Sequence, residues 1–429
     1  MKGLKLSLVI MAAALLTIGL GGVAYAFHDG GVAECGGCHA MHTANQNNNF
    51  LLIGYDASST CLSCHEAAAN SGPSSFHVST PSGEVTAGLS PKQRTPGGDF
   101  AWLKKTYLLS SSSSGTTNEL GETHGHNIVA FDKGYAASTL HTTAPGSAGA
   151  FVSSQLGCQS CHDPHGRGRQ QSDGTFMAPA AGVSGPPILG SGSYASQGLP
   201  PAGLAIGLYR ILAYPGYTRA SGVTWGAWPI AVAPSTYNQT EATNQVRVAY
   251  GSDGNNTWGR WCGTCHNDMT GHGSVTHVHP VDTALGGGST NLANIYNQYV
   301  KSGDMSGSAT TSFTSLVPFA EKTGTRLTLA GHAGNTNAFL NGPGNNDEVM
   351  CFSCHRGHAS AFPSALRWNG EYEMLTINGN YPGTDSPTPN TRAARSRLMA
   401  EYQAGYYDRP ASVFATYQRS LCNKCHAMD

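Results

Sequence analysis

Apolar positions are concentrated at one end of the chain. Leu6 to Gly22 is an uncharged apolar stretch behind Lys2 and Lys5, and Ala24-Tyr25-Ala26 closes it with an A-x-A site. This pattern predicts an export signal over residues 1–26, cleaved after Ala26, with an uncleaved anchor as the other reading. No later segment approaches about 18 uninterrupted apolar residues, so residues 27–429 are not expected to span a membrane. Periodic patterns there are short. Asn291 to Val300 predicts a helix with Leu292, Ile295 and Tyr299 on one face, and Thr391 to Tyr406 a longer one carrying Leu398, Met399 and Tyr402. Pro410 suits the first turn of a last helix running toward Cys422. Phe100 to Tyr107 reads as a short strand. Ser110 to Ser114 and Ala178 to Pro201 read as loops. Most of the remainder is turn chemistry.

Composition sharpens this picture. The chain has 429 residues, 55 of them Gly and 22 Pro, and only 11% are charged. Gly is about twice its usual share and charge about half. Formal net charge is −1, which argues against a nucleic-acid partner. Such a chain is poorly supplied with core-building side chains, and its 12 Cys and 18 His are the candidates for holding it together.

All 12 Cys fall into six C-x-x-C pairs, each followed at once by His. They are Cys35-Cys38-His39, Cys61-Cys64-His65, Cys158-Cys161-His162, Cys262-Cys265-His266, Cys351-Cys354-His355 and Cys422-Cys425-His426. C-x-x-C-H is the attachment signature of c-type haem: two thiols bond the porphyrin vinyl groups and the next imidazole ligates the iron. Six such His by chance are on the order of one in a hundred million. Export would favour disulfides, but the spacing does not suit them. Successive first cysteines lie 26, 97, 104, 89 and 71 residues apart, too far for a zinc ribbon. The expected fold is therefore a single hexahaem domain over 27–429, mostly coil and turns with a few short helices and minimal strand. The haem stack serves as its core, cross-linked through thioethers and iron–His bonds.

Twelve further His are enough to close the second axial position of all six irons. His42, His165 and His358 each follow a motif His by three residues, a spacing that directs them to a different haem. His77, His126, His279 and His332 stand in loop contexts suited to a ligand, and His28 is a further candidate. His124, His141, His272 and His277 read as solvated His. Met/His ligation at one site stays open at this point.

Long stretches of the chain carry a more specific signal. They include FHDGGVAECGGCHAMH (Phe27 to His42), TPGGDFAW (Thr95 to Trp102), GHNIVA (Gly125 to Ala130), CHDPHG (Cys161 to Gly166), AVAPSTYNQTEATNQVRVAYG (Ala231 to Gly251), HRGHAS (His355 to Ser360) and YQRSLCNKCHAMD (Tyr417 to Asp429). On these the whole chain resembles the OmcS-type hexahaem cytochromes of metal-reducing bacteria, which form extracellular filaments. The resemblance implies bis-His ligation throughout and a haem row continuing along a polymer. It also implies that His42 ligates a haem of the adjoining subunit, the one attached at Cys351 and Cys354. For the other distal ligands it supports His77, His126, His165, His279, His332 and His358, and His28 less directly, a set larger than needed. The chain departs from the family pattern at Ser110 to Ser114, His124 and His141.

Three functions are then in view. A filamentous electron conduit would draw on periplasmic or outer-membrane cytochromes and deliver to external acceptors such as metal oxides or electrodes. A soluble periplasmic carrier would be monomeric. A multihaem enzyme would need one open iron, and six His-terminated motifs offer no marked site for it.

Overall fold

The computed structural model describes residues 35–40, 50–67, 76–111, 115–147, 151–177, 199–218, 223–270, 279–286, 291–323 and 325–428. The export signal, His28, His42, His272, His277 and most of the 178–201 loop lie outside the described residues.

Regular structure is sparse and short, as the turn-rich sequence requires. Three small sheets are present among the described residues. Strands β1 (Tyr107–Ser111) and β2 (Gly115–Glu119) form a hairpin in which Tyr107 pairs with Glu119. Two three-stranded sheets follow. The first joins Arg169–Gln171 to Phe176–Met177 and Ala205–Gly207; the second joins Ala231–Val232, Ala249–Gly251 and Ala320–Glu321.

The structure departs from several expectations. The helix expected over 291–300 runs Leu292–Gln298, with Asn291 capping it by accepting from Asn294 N. The longer one expected over 391–406 is two helices, Thr391–Ala394 and Met399–Gly405. Arg395 and Ser396 between them have φ of 49 and 62, left-handed values that no continuous helix accepts. Phe100–Lys104 is a 3-10 turn and not a strand, because Asp99 caps it by accepting from Ala101 N. The strand begins later, at Tyr107, and takes in the start of the serine run. Pro410 precedes only a 3-10 turn, Ala411–Val413, and the last helix is confined to Asn423–His426.

Buried apolar side chains form five separate clusters among the described residues, not one interior. The largest gathers Trp102, Tyr296, Phe319, Phe362, Trp368 and Tyr402. Motif cysteines pack along cluster edges: Cys354 and Cys425 on the largest, Cys161 and Cys262 on a second, Cys158 on another. No helix among the described residues is long and apolar enough to cross a membrane.

A candidate haem row

Every motif lies on a helical turn. His39, His162, His266, His355 and His426 each donate a backbone N–H to the carbonyl of the first cysteine of their motif, at 2.8 to 3.1 Å. The remaining motif closes the helix Ala57–His65. One turn of about 3.6 residues brings the imidazole back to the face that carries the thiols, as attachment plus ligation demands.

The imidazoles are prepared as ligands. Nδ1 of His39, His65, His162, His266 and His355 faces the carbonyl oxygen of Phe50, Phe76, Arg210, Pro145 and Ser364, at 2.7 to 2.9 Å. A carbonyl only accepts, so Nδ1 keeps the proton and Nε2 presents its lone pair.

Three of these arrangements are copies of one another. His39 bridges Leu52, His162 bridges Leu212 and His355 bridges Leu366, all antiparallel. In each copy the residue after the His donates to the carbonyl just before that Leu, and the residue after the Leu donates back to the second cysteine: Ala40 to Leu51 and Ile53 to Cys38, Asp163 to Ile211 and Ala213 to Cys161, Arg356 to Ala365 and Arg367 to Cys354. Each clasp turns through a left-handed backbone at Leu51, at Arg210 and Ile211, and at Ser364 and Ala365. These are the first, third and fifth motifs, the same three that carry a second His three residues on. The chain is thus three two-motif repeats. Sequence reading missed the clasps, whose only visible trace is a Leu closing Phe50-Leu51-Leu52, Arg210-Ile211-Leu212 and Ser364-Ala365-Leu366.

The thiols run in chain order. Burial raises the Cys38 thiol and Cys64 raises it further. Cys61 stands well above its ordinary value through a hydrogen bond with Cys158, then burial. Cys161 is raised by burial and next by Cys265. Cys262 is raised well above by a hydrogen bond with Cys351, then burial. Cys354 is pushed up to about 12 by burial, with Cys425 adding to it. Junctions within a repeat therefore bring second cysteines together, and junctions between repeats bring first cysteines together. The attachment points form an unbroken row of two alternating joints.

Three imidazole pairs are spaced as two axial ligands of one haem iron would be. The ring centroids of His126 and His266 are 6.0 Å apart, of His162 and His358 6.4 Å, and of His279 and His426 6.2 Å. Two iron–nitrogen bonds of about 2 Å, plus about 1 Å from each nitrogen to its ring centre, require roughly 6 Å. Burial first, and His266 next, lower His126 to about 4; burial and then His162 lower His358 to about 3. Both are neutral at neutral pH, the ligating form.

The other candidates are placed differently. His165 is exposed beside Asp163, which also accepts from Arg167 Nε at 3.2 Å. His77 lies against Phe76, whose carbonyl holds His65. His332 stacks on Phe339 at 4.0 Å, with Nδ1 2.5 Å from Glu321. His141 is exposed as expected, but His124 is fully buried and not solvated. Glu119, five residues earlier, takes its Nε2 at 2.7 Å, and the Trp102 carbonyl oxygen lies 3.1 Å from its Nδ1.

One buried cation lies beside a motif His. Arg356, directly after His355, is 3% exposed, yet its Nε and one Nη have no hydrogen-bond partner. It borders a cavity shared with Arg367 and Tyr250.

Paired thiols in an ordered row, each followed by an imidazole on the same turn, define a multihaem c-type cytochrome. Residues 28–70 match the doubled CXXCH motif family, the first of the three repeats. The chain is 46% identical over 449 residues, 100% of both chains, to C-type cytochrome OmcS of Geobacter sulfurreducens. It is similar to the cryo-EM structure of the OmcS nanowires of that organism, with TM-score 0.83 and 44% identity, and to its Outer Membrane Cytochrome S filament, with TM-score 0.81 and 43% identity. Each comparison covers 94% of this chain and 100% of the other. The chain belongs to the OmcS family of c-type cytochromes and carries covalently bound haem c at its six motifs.

Proposed function

We propose that this chain is the subunit of an extracellular cytochrome filament that carries electrons from periplasmic or outer-membrane cytochromes to external acceptors such as metal oxides or electrodes. Residues 1–26 serve as the cleaved export signal, and 27–429 form the single hexahaem domain. When bound, the haems supply one-electron redox chemistry, and the protein's part is to hold them in a row and close their sixth positions. No bond is made or broken in such transfer, so the chain acts as a conduit and not an enzyme.

The observation that carries this reading is the clasp repeat. In the third repeat, His358 faces His162, the motif His of the repeat before. The same step assigns His165 of the second repeat to the first haem, attached at Cys35 and Cys38. The likeness to the OmcS filaments supports His42 of the first repeat as a ligand given to an adjoining chain. By the same step His355 of the fifth motif, whose Nδ1 is held 2.7 Å from the Ser364 carbonyl, takes its second ligand from another chain. His42 of one subunit therefore meets the fifth haem of the next, and the row continues between chains. His126 and His279 close the fourth and sixth haems, and each precedes the first motif of its repeat. His28 holds the matching place for the second haem. His77 and His332 fall outside this scheme.

His42→Ala is expected to leave all six haems attached, to stop filament formation in negative-stain images, and to open one iron per chain to carbon monoxide. Filaments of ordinary length from that variant would overturn the reading.

A further inference from the structure

Two of the assigned axial ligands are mounted on one piece of backbone. His126 N donates to the His358 carbonyl at 2.9 Å, and His126 Nδ1 donates to the Gly357 carbonyl at 2.9 Å. Ser360 N donates to the His124 carbonyl at 3.0 Å, closing the other end of this short antiparallel ladder. His126 faces His266 of the fourth motif and His358 faces His162 of the third. Whatever moves the ladder moves an imidazole at both irons.

A buried polar cluster fastens it. His124 has no exposed surface; its ring lies between Glu119, at 2.7 Å from Nε2, and the Trp102 carbonyl, at 3.1 Å from Nδ1. With both nitrogens engaged, His124 is not available as an axial ligand. Glu119 also accepts from Arg395 at 3.0 Å and from Arg397 through both Nη atoms. Arg397 in turn donates to the Ala361 carbonyl at 2.7 Å, on the far strand of the ladder. The cluster thus grips both strands, one through His124 and the other through Arg397. A buried charged group of this kind resists displacement, because breaking one contact leaves a desolvated partner.

We infer that His124, clamped by Glu119 and the Trp102 carbonyl, is a positioning residue that sets the axial imidazoles of the third and fourth haems together. This rests on the ligand assignments proposed above. Its chemical consequence is at the metal: axial ring orientation and its hydrogen bonding tune a haem's spectrum and potential. The two middle haems are then adjusted as a pair.

The test uses the purified six-haem protein. Low-temperature electron paramagnetic resonance reports ligand orientation, and spectroelectrochemistry reports potentials. For His124→Phe, two of the six low-spin signals and two of the six potentials are expected to shift, with haem content unchanged. His124→Gln, which still reaches Glu119, returns them toward the parent values. Glu119→Gln shifts the same two. No shift, a shift at one haem, or an equal shift at all six would overturn the inference, as would failure of all three variants to load six haems. The unmodified protein separates this from the underlying assignment: anything other than bis-imidazole signals from the third and fourth haems there refutes the ligand pairs, whatever the variants do.

Discussion

Ala359 has no exposed surface and is gripped between the backbones of Gly98 and Gly125, each bridging it. A Cβ on Gly125 would stand 2.2 Å from the His358 carbonyl oxygen and 2.6 Å from the Ala359 Cα. One on Gly98 would stand 1.8 Å from the Ala359 carbonyl oxygen, at a φ of +96 that a side chain rarely adopts. The atoms met are backbone and cannot rotate away. Gly125→Ala must therefore spread the strands that carry His126 and His358, at an overpacking cost of about 1–3 kcal/mol. The expected result is partial conversion of the third and fourth haems to high-spin forms with the other four unchanged, measured by visible absorption and magnetic circular dichroism. A fully low-spin protein of ordinary thermal stability would contradict it. The stretches TPGGDFAW and GHNIVA carry these glycines, so the residues were visible in the sequence; their approach to a segment more than 200 positions away was not.

At the scale of elements, the sequence was informative about chemistry and poor about geometry. The six thiol pairs, their imidazoles and the i,i+3 His were legible because each is a local pattern. Three imidazole pairs became visible only in the structure, since His126, His279 and His358 meet motif His that lie 140, 147 and 196 residues away along the chain. Helix ends were misjudged where left-handed residues interrupt an apolar period, as at Arg395 and Ser396. The clasp that repeats three times is made wholly of backbone hydrogen bonds, so side-chain patterning barely marks it. Yet it makes a sharp statement about equivalence. His165→Ala should open the first haem just as His358→Ala opens the third, one carbon monoxide site per chain in each, while His77→Ala and His332→Ala open none. Carbon monoxide binding to the His77 or His332 variant would remove the repeat rule, as would a His165 variant that stays closed.

For the whole molecule, the five separate apolar clusters among the described residues raise the question of what joins them. Motif cysteines stand at the edges of three, so a group attached there touches cluster and gap alike. In the proposed ligation, iron–His closures add a second constraint. The pairs His126–His266, His279–His426 and His162–His358 span 140, 147 and 196 residues. A cross-link closing a loop of that length restricts the unfolded chain by about 5 kcal/mol. The three loops overlap, so their effects do not simply add, yet one alone is comparable with the net stability of an ordinary domain. Without haem those closures would be lost. The chain produced with haem attachment blocked is therefore expected to be expanded in sedimentation, to show a disordered circular dichroism spectrum, and to lack a cooperative thermal transition. A compact apo-protein melting cooperatively would mean that the aromatic clusters are sufficient by themselves, and that the haems fill a fold they did not build.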